Sequence, residues 1–397
     1  MSPESALELL TKGTAQIISG KELLERLKEG KPLRVKLGVD PTAPDIHFGH
    51  TVPLEKLRQF QELGHQVVLI IGDFTAMIGD PTGRSATRPH LSHEEVLENA
   101  KTYTDQAFKI LEKEKTEVVC NGEWFGKMSF SDVIKLNSRV TMQQMLQRED
   151  FRNRIDKQEE VRLHEIQYPI MQGWDSVEVR ADVEIGGTDQ LFNILVGRDM
   201  QKAMDQRPQV VLTVPLLEGL DGVKKMSKSY GNYVGVSDEP GEMFGKLMSV
   251  SDELMARYYT LLLGENLDAS SHPMEAKKPL STRLVARYHD DDAAVRAREN
   301  WETQFSKRDL DAADLPGFSP SADALATGIL AIASEAYAQC FDSKRSNSDL
   351  RRLVEQGSIQ INGDKVSDPR ANVELPEGAV LRLDKKRSVR IATESRE

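Results

Sequence analysis

The sequence has only two cysteines, Cys120 and Cys340, among its 397 residues. Their separation provides neither a disulfide framework nor the ligand spacing of a zinc ribbon, and free thiols fit a reducing compartment. No apolar run reaches the length of a membrane-spanning helix, and the first 31 residues lack the apolar core of a signal peptide. We therefore expect a cytoplasmic protein that does not enter a membrane.

Positive charge is also scarce, because the formal net charge is −11. Such a balance argues against binding DNA or RNA over the whole surface, but it does not exclude a local basic face. The tail from residue 343 to residue 397 holds 12 Lys and Arg against 9 Asp and Glu, a net charge of +3. The basic character is therefore confined to the end of the chain, and we expect no DNA partner.

Strand-like and helix-like segments alternate in the first half of the chain. Two β-branched apolar runs, 33–40 and 66–73, each close with an aspartate, and a segment with helical apolar spacing, 51–64, lies between them. Three further strand candidates follow at 116–120, 182–187 and 209–217. Strands that alternate with helices predict an α/β protein with a doubly wound parallel sheet, which is a common nucleotide-binding architecture.

The rest of the chain predicts additional domains. A charged, mainly helical stretch at about 121–174 is too long for a simple crossover and reads as an insertion into the sheet domain. Helical patterning follows at 241–264 and 281–307, then a proline-containing linker at 310–323, a short basic helix and turn-linked β segments. We predict a sheet domain at 1–232, an α-helical domain at 233–322, and a linker with a small α+β domain at 323–397.

The stretch "DIHFGH" places His47 and His50 three residues apart, where a loop after the first predicted strand turns into a helix. The free N–H groups and positive dipole of a helix start favour an anion there, and the two histidines could donate hydrogen bonds to phosphate oxygens. Gly49 would let a ligand ring approach the backbone. Taken alone, the pattern favours a capped helix with two polar surface histidines. A zinc pair lacks a third ligand nearby, so we predict no metal site.

A second stretch, "GVKKMSKSYGN" at 222–232, clusters lysines and serines in a loop flanked by glycines. Lys225 and Lys228, three residues apart, could face the same phosphate chain, which nucleotidyl transfer requires. A solvated basic turn is the alternative reading for any lysine pair alone. The two stretches occur together, and this combination strengthens the nucleotide interpretation.

Together, "HFGH" and "KMSKS" resemble the two signature motifs of class I aminoacyl-tRNA synthetases. Three further passages are similar to tyrosyl-tRNA synthetases in particular: "GVDPTAPDIHFGH", "YPIMQGWDSVEVRADVEIGGTDQ" (168–190), and a tail like the α-L RNA-binding motif. This resemblance spans nearly the whole chain and implies a Rossmann-like catalytic domain. It also implies a homodimeric tyrosine–tRNA ligase that forms tyrosyl-adenylate and transfers tyrosine to the terminal adenosine of tRNA(Tyr).

The resemblance assigns roles to individual residues. It implies that ATP enters with Mg²⁺, without a tightly bound cofactor, and that Lys225 and Lys228 stabilise the departing pyrophosphate. The implied ATP-binding residues are Asp40, His47, Gly49, His50, Thr51, Gly187, Asp189, Lys225, Ser227 and Lys228, of which His47, His50, Lys225 and Lys228 are the implied catalytic set. The reaction requires no enzyme nucleophile, so the absence of a Ser-His-Asp pattern does not weaken this reading.

The resemblance also implies a tyrosine pocket. Asp175 corresponds to the carboxylate that binds the phenol, Tyr168, Gln172 and Asp80 to the groups around the ammonium, and Gln190 to a group near the amino-acid carboxylate. Lys36 occupies a position where the better-known branch of the family has a tyrosine, so we hypothesise that Lys36 donates to the phenol oxygen. Without the resemblance, Asp80 could be a turn residue and the segment from Tyr168 to Asp175 a polar helix stripe.

In the tail, Arg345, Arg351, Arg352 and Lys365 could line an RNA backbone groove, although a solvated helix face is the ordinary reading of such charges. Three alternatives to the tyrosine ligase stay open: tryptophan specificity, an RNA-binding factor that has lost catalysis, and a small-molecule nucleotidyltransferase that uses the histidine motif alone. The intact lysine loop and Asp175 argue against the second, and the third would not explain the basic tail.

Overall fold

The computed structural model describes residues 1–41, 45–80, 92–268, 271–306, 310 and 312–392. It divides into two compact units, Met1–Ala294 and Val295–Glu397. In the described part of the chain, every helix is too short or too polar to cross a lipid bilayer. The finer three-part division at residues 232 and 322 stays a prediction.

The first unit is built on a six-stranded sheet. Its strands are β1 (Gln16–Ile18), β2 (Arg34–Val39), β3 (Gln66–Ile71), β4 (Thr116–Cys120), β5 (Val183–Gly187) and β6 (Val210–Val214), in the spatial order β1-β6-β5-β2-β3-β4. All pairings are parallel except that of β1 with β6. The five predicted strands are confirmed, whereas the short edge strand β1 was not predicted.

The strand order reverses between β2 and β5. From β2 the chain proceeds to β3 and β4 on one side of the sheet, while β5 and β6 extend the sheet on the other side. In a doubly wound sheet, ligands bind in the crevice outside the carboxyl ends of the strands at such a reversal. The segments that follow β2 and β5 are therefore the expected place for a functional site.

Helices account for most of the remaining first unit. They are α1 (Pro3–Thr11), α2 (Gly20–Lys28), α3 (Phe48–Glu62), α4 (Thr75–Ile78), α5 (His93–Ala107), α6 (Gly122–Phe125), α7 (Phe130–Asn137), α8 (Met142–Met145), α9 (Glu149–Asp156), α10 (Leu163–Glu178), α11 (Leu191–Ala203), α12 (Pro240–Met248), α13 (Asp252–Leu263), α14 (Pro273–Tyr288) and α15 (Asp291–Trp301), the last of which continues past Ala294. Short 3₁₀ turns lie at Lys113–Lys115, Thr188–Gln190 and Lys228–Tyr230, and a π-helical turn at Glu302–Ser306 follows α15 in the second unit. Helices α6 to α10 fall between β4 and β5, where the sequence predicts a helical insertion.

Helix α3 connects the first two parallel strands and shows why this segment folds as expected. Val52, Leu54, Leu57 and Phe60 are buried and recur at helical spacing, so one face of the helix packs into the core. The chain leaves the helix through Gly64, whose φ of +87° is a conformation that favours glycine. The helix begins at Phe48, three residues before the segment with helical spacing at 51–64.

The long helical patterns after residue 240 are each interrupted. The pattern at 241–264 divides into α12 and α13, because the Ser251 hydroxyl accepts a hydrogen bond from the N–H of Leu254 at 3.2 Å and caps a new helix. The pattern at 281–307 divides between Tyr288 and Asp291. Serine and aspartate at the breaks are the residues that favour helix starts.

The second unit is an α+β fold. Its five-stranded sheet has the order β7-β11-β10-β8-β9, formed by β7 (Gly317–Phe318), β8 (Gln360–Ile361), β9 (Asp364–Lys365), β10 (Val380–Arg382) and β11 (Ser388–Ile391). Helices α16 (Ala322–Thr327), α17 (Ile329–Phe341) and α18 (Asn347–Glu355) complete it. The predicted basic helix is present, and the predicted turn-linked β segments include a hairpin at Asn362-Gly363.

The predicted linker at 310–323 needs a correction. Gly317 and Phe318 pair in parallel with Arg390 and Ile391, so this part of the segment is an edge strand of the sheet. Phe318 is buried and belongs to the hydrophobic core of the second unit. A strand of two residues carries no periodic pattern that could distinguish it from a loop.

Candidate active site

The two histidines form one compact group at the start of α3. His47 is the N-cap residue with an extended backbone, and its ring stacks on the ring of His50 with a centroid distance of 3.8 Å. The N–H of His47 donates to Nδ1 of His50 at 3.3 Å. Both rings therefore lie at a helix N-terminus, where free N–H groups and the helix dipole favour an anion.

A side chain at Gly49 would crowd the ring of His47. A Cβ atom added at Gly49 would lie 3.0 Å from both Cε1 and Nδ1 of His47. The ring of His47 thus occupies the space that a side chain would need. We predicted that a ligand ring would approach the backbone here, and in the structure a histidine ring of the protein does so.

Both histidines are neutral near pH 7. Burial lowers the pKa of His47 to about 2, with further contributions from the charges of His50 and Lys228. His50 keeps an exposed surface, but the surrounding protein desolvates its ring and, together with Lys228 and Lys225, lowers its pKa to about 4. A neutral imidazole has one N–H donor, so each ring can donate one hydrogen bond to an oxygen without carrying charge.

The lysine-rich loop is fastened beside the histidines by backbone hydrogen bonds. The N–H of Phe48 donates to the carbonyl of Val234 at 2.9 Å, and the N–H of Val236 donates to the carbonyl of Ile46 at 3.0 Å. The N–H of Met226 donates to the carbonyl of Leu217 at 2.8 Å. The two sequence motifs, which lie far apart in the chain, are therefore held side by side.

Each of the two predicted catalytic lysines is paired with a carboxylate. Lys225 Nζ lies 3.3 Å from Asp189 Oδ2, and Lys228 Nζ lies 2.6 Å from Asp45 Oδ2. All four side chains are at least partly exposed, so solvent screens these pairs and makes them weak. Both ammonium groups could exchange a carboxylate for the oxygens of a polyphosphate.

A buried hydrogen-bond chain leads from β2 to Asp175 on α10. The Tyr168 hydroxyl donates to Asp40 Oδ2 at 2.8 Å, and the Thr75 hydroxyl donates to Asp40 Oδ1 at 2.8 Å. The Asn121 amide donates to Thr75 Oγ1 at 3.0 Å and to Asp175 Oδ2 at 3.4 Å. A further donor, Trp124 Nε1, contacts Asp175 Oδ1 at 3.0 Å. This network fixes a nearly inaccessible carboxylate in the interior.

A second network of polar side chains connects three amide side chains, those of Gln172, Gln190 and Asn193. Gln190 Nε2 donates to Asp80 Oδ2 at 2.7 Å, and Arg148 Nη2 pairs with Asp80 Oδ1 at 3.1 Å. The Asn193 amide donates to the side-chain oxygens of Gln190 at 3.1 Å and Gln172 at 2.8 Å. The histidine turn and the lysine loop, which suit an anion, therefore lie at the same carboxyl edge of the parallel sheet as the buried hydrogen-bond network around Asp175.

The family model for class I tRNA synthetases of the tryptophan and tyrosine type matches residues 28–306. The tyrosine–tRNA ligase of Aquifex aeolicus is 47% identical over 399 residues, covering 99% of this chain and 100% of the relative. That of Oleidesulfovibrio alaskensis is 49% identical over 403 residues, covering 98% and 99%.

The chain belongs to the tyrosyl-tRNA synthetases. Members of this family are ATP-dependent aminoacyl-tRNA synthetases. The fold agrees, because the solved tyrosyl-tRNA synthetase of Archaeoglobus fulgidus, complexed with L-tyrosine, superposes with a TM-score of 0.59 at 22% identity over 75% of this chain and 99% of that one.

The synthetase brings most of the predicted site residues to one edge of its sheet. Asp40 follows β2, Gly187 ends β5, and Asp189 and Gln190 lie in the 3₁₀ turn that comes next. A Cβ at Gly187 would lie 2.6 Å from Asp189 Oδ1 and 2.9 Å from Leu216 Cδ2, so this position accepts only glycine without rearrangement. Ser227 is held by its N–H, which donates to Asn232 Oδ1 at 2.8 Å, and its hydroxyl contacts that of Ser229 at 2.8 Å.

Two predicted contacts of the synthetase need correction. Thr51 is fully buried and its hydroxyl donates to the carbonyl of Phe48 at 2.9 Å, so the geometry does not support a direct contact between this hydroxyl and ATP. Lys36 is also fully buried, and its ammonium contacts Glu184, the Ser176 hydroxyl and the Gln172 carbonyl. The geometry therefore does not support Lys36 as a direct donor to the phenol oxygen.

Sequence reasoning missed several residues of the site. They are the partners of the predicted groups: Asp45, Thr75, Asn121, Trp124, Arg148, Ser176, Glu184 and Asn193. Asn121 directly follows β4, and a polar residue at the carboxyl end of a parallel strand is a signal that could have been used. Trp174, next to Asp175 in the sequence, donates to Glu178 at 2.7 Å and contacts no predicted site residue in a described hydrogen bond.

The predicted RNA-binding residues all lie in the second unit of the synthetase. Arg351, Arg352 and Lys365 are exposed, and Arg352 Nη2 pairs with Asp349 at 3.2 Å. The Arg345 guanidinium lies 5.4 Å from the centroid of the Tyr337 ring, which partly fixes its direction. Exposed Lys385 and Lys386 add to the same basic surface composition and were not predicted.

Asp175 is expected to make the stability of the synthetase depend on pH. Burial raises its pKa to about 7, against the lowering influence of Lys36, Trp124 and Asn121. The folded protein therefore keeps a proton that the unfolded chain releases between about pH 4 and pH 7. This contribution to stability is complete below that window and is lost as the pH rises through about 7.

In the Asp175→Asn variant the side chain at position 175 cannot titrate, so its stability should not show this fall with rising pH. We expect the free energy of unfolding of wild type, relative to that of the variant, to fall by about 2–3 kcal/mol between pH 5 and pH 8. Denaturant unfolding at both values measures the difference. Met171→Leu, on the same buried face of α10, should differ from wild type equally at both pH values. A constant difference for Asp175→Asn would contradict the shifted pKa.

Proposed function

We propose that the crevice described above performs both steps of the tyrosine–tRNA ligase reaction. In the first step, the tyrosine carboxylate attacks the α-phosphate of ATP, which gives tyrosyl-adenylate and pyrophosphate. In the second step, tyrosine passes to the 3′ terminal adenosine of tRNA(Tyr). The observation that carries this proposal is the junction of the histidine turn and lysine loop with the buried Asp175 network.

In this proposal the phosphates of ATP are bound by two neutral hydrogen-bond donors and by two lysines that can change partners. His47 and His50 donate to phosphate oxygens without charge, while Lys225 and Lys228 leave Asp189 and Asp45 to follow the negative charge that builds on the pyrophosphate. Among the described residues, the structure contains no cluster of three metal-binding side chains. In the proposal, Mg²⁺ enters as part of the ATP complex, held by phosphate oxygens.

The amino-acid side of the proposal uses the groups that sequence reasoning assigned to it. Asp175 accepts the hydrogen bond of the phenol, and Tyr168, Gln172 and Asp80 surround the ammonium group. Gln190 and Asp40 lie at the reacting end. A buried carboxylate that is left without its phenol partner is costly, so phenylalanine should bind poorly.

ATP–pyrophosphate exchange with each aromatic amino acid tests the first step. Tyrosine should drive exchange, and Lys225→Ala/Lys228→Ala should lower kcat/KM by at least about 100-fold, because transition-state charge loses its cations. Lys224→Ala, in the same loop but over the ring of Tyr230, should keep most of the activity. Exchange driven by tryptophan instead, or an equal loss in Lys224→Ala, would overturn the assignment.

We propose that the second unit binds the backbone of tRNA(Tyr) through Arg345, Arg351, Arg352 and Lys365. Their exposure on and around α18 and β9 suits phosphate contacts, which position an RNA without reading its bases. The helical region at 233–322 would then approach the anticodon arm.

Arg351→Ala/Arg352→Ala should raise the KM for tRNA in aminoacylation by about tenfold and reduce the salt dependence of binding, because two phosphate contacts are lost. Exchange without tRNA should be unaffected. Filter binding at several salt concentrations measures the slope. Lys28→Ala/Arg207→Ala, which removes two exposed cations from the first unit, is the matched control. An unchanged slope would exclude these arginines from the interface.

We also propose a homodimer that works in the cytoplasm. Three large apolar side chains of the insertion are strongly exposed: Phe130 (80%), Leu163 (74%) and Ile134 (53%). Such a set suits an interface with a second copy of the chain. Both cysteines are free, which fits a reducing compartment.

Phe130→Glu/Leu163→Glu should convert the dimer to a monomer, because two carboxylates would be buried at the interface without partners. Sedimentation velocity measures the mass at micromolar concentration. Val295→Glu, which places the same charge on another exposed apolar position, should leave the mass unchanged. A wild-type monomer, or a double variant that is still a dimer, would contradict this part of the proposal.

A further inference from the structure

An ion pair lies fully inside the protein beneath the amino-acid side of the crevice. Lys36 on β2 and Glu184 on β5 are paired partners in the parallel register of the two central strands. Lys36 Nζ lies 3.0 Å from Glu184 Oε1, and the two side chains are 0% and 1% exposed. The pair therefore sits at the reversal of strand order, where no water competes with it.

The ammonium of Lys36 has no donor left for a ligand. An ammonium group carries three N–H donors. Those of Lys36 reach Glu184, the Ser176 hydroxyl at 2.8 Å and the Gln172 carbonyl at 3.0 Å. Any influence of Lys36 on substrate must pass through these partners or through its charge.

Glu184, on β5, forms hydrogen bonds with the same turn of α10. It accepts hydrogen bonds from the Ser176 hydroxyl at 2.9 Å and from Gln172 Nε2 at 3.3 Å, and a third from Gln209. Gln172 and Ser176 are four residues apart and flank Asp175 on the helix. Both members of the pair thus hold the single helical turn that presents Gln172 and Asp175.

Stability alone is a poor explanation for this arrangement. Removing two charges from water costs several kcal/mol per ion, and well-packed apolar residues of the same volume often stabilise a fold equally well or better. An apolar pair could fill the space, but it could neither hydrogen-bond Gln172 and Ser176 nor impose a field on Asp175. The charged pair therefore contributes two things that an apolar pair could not: it orients Gln172 and Ser176, and it imposes an electrostatic field on Asp175.

We propose that Lys36 and Glu184 are positioning residues for tyrosine recognition, which fix the Gln172–Ser176 turn of α10 and set the charge with which Asp175 meets the phenol. The inference rests on the proposed function of this crevice. It replaces the direct contact between Lys36 and the phenol that the sequence suggested. The residues act without touching the substrate.

The groups around Asp175 give the inference a pH signature. Burial raises the pKa of Asp175 to about 7; Lys36 lowers it, Trp124 and Asn121 lower it by donating hydrogen bonds, and Glu184 raises it. Tyr168 stays neutral because burial raises its own pKa well above the usual value. Loss of the Lys36 charge alone should raise the pKa of Asp175, and loss of both charges should return it part of the way.

Three proteins test the inference by tyrosine-dependent ATP–pyrophosphate exchange from pH 5.5 to pH 9: wild type, Lys36→Met, and Lys36→Met/Glu184→Gln. In the single variant we expect the acid limb of kcat/KM for tyrosine to move up by about half a pH unit or more. The KM for tyrosine should rise by about tenfold, with a smaller change in kcat, and the preference for tyrosine over phenylalanine should fall. In the double variant the limb should move back while the raised KM persists.

The chain contains a matched control for a purely structural role. Arg154 and Glu165 form another largely buried pair, with Nη1 and Oε1 2.7 Å apart, and it holds the first turn of the same helix α10. Arg154→Met/Glu165→Gln should lower the thermal unfolding temperature without moving the acid limb or the preference for tyrosine.

The outcomes distinguish a failure of the proposed function from a failure of the positioning role. If wild type shows no tyrosine-dependent exchange, the proposed function itself fails. If wild type is active but both Lys36 variants keep its acid limb, its KM for tyrosine and its preference over phenylalanine, the positioning role is overturned. If the single variant does not fold because Glu184 is left unpaired, the charge-balanced double variant decides: a raised KM with reduced preference supports the inference, and wild-type values for both overturn it.

Discussion

The parallel pairing of β2 with β5 is the constraint on which the rest of the site depends. This pairing joins the two halves of the sheet at the point where strand order reverses, and it opens the crevice at the strand ends. Asp40 and the histidine turn continue from β2, and Gly187 and Asp189 continue from β5. The same register places Lys36 opposite Glu184 beneath α10. One backbone interaction therefore fixes the outer and the inner parts of the site together.

The electrostatics of the crevice change from its mouth to its floor. At the mouth, Lys225 and Lys228 are screened by water and paired with exposed carboxylates, so their partners can be exchanged at little cost. At the floor, Asp175 and Glu184 are desolvated and each has several hydrogen-bond donors, so any rearrangement is expensive. The histidines at the start of α3 stay uncharged. This division suits a reaction in which the phosphate chain departs and the amino acid is retained.

Sequence patterns predicted the elements that bury periodic apolar faces, and they failed where partners are decided in three dimensions. The five parallel strands and α3 follow from β-branched runs and helical spacing, whereas β1 and β7, with three and two residues, are too short to show a period. The histidine and lysine motifs drew attention to His47 and Lys225, and the family resemblance implied the role of Asp175; these roles stay predictions. Sequence patterns could not show that Lys36 is saturated, that Thr51 faces inward or that Asp45 pairs with Lys228. These facts depend on which side chains the fold brings within hydrogen-bond reach.

The attachment of the lysine loop beside α3 has a thermodynamic consequence. Because hydrogen bonds at Phe48, Met226 and Val236 pin the loop at its base, the ammonium groups are confined to a small volume over the helix start before any ligand arrives. The entropy of bringing two cations to this place is spent when the protein folds and not when the nucleotide binds. At the site where the polyphosphate would bind, the two ammonium groups therefore have an effective concentration far above that of a free cation in solution.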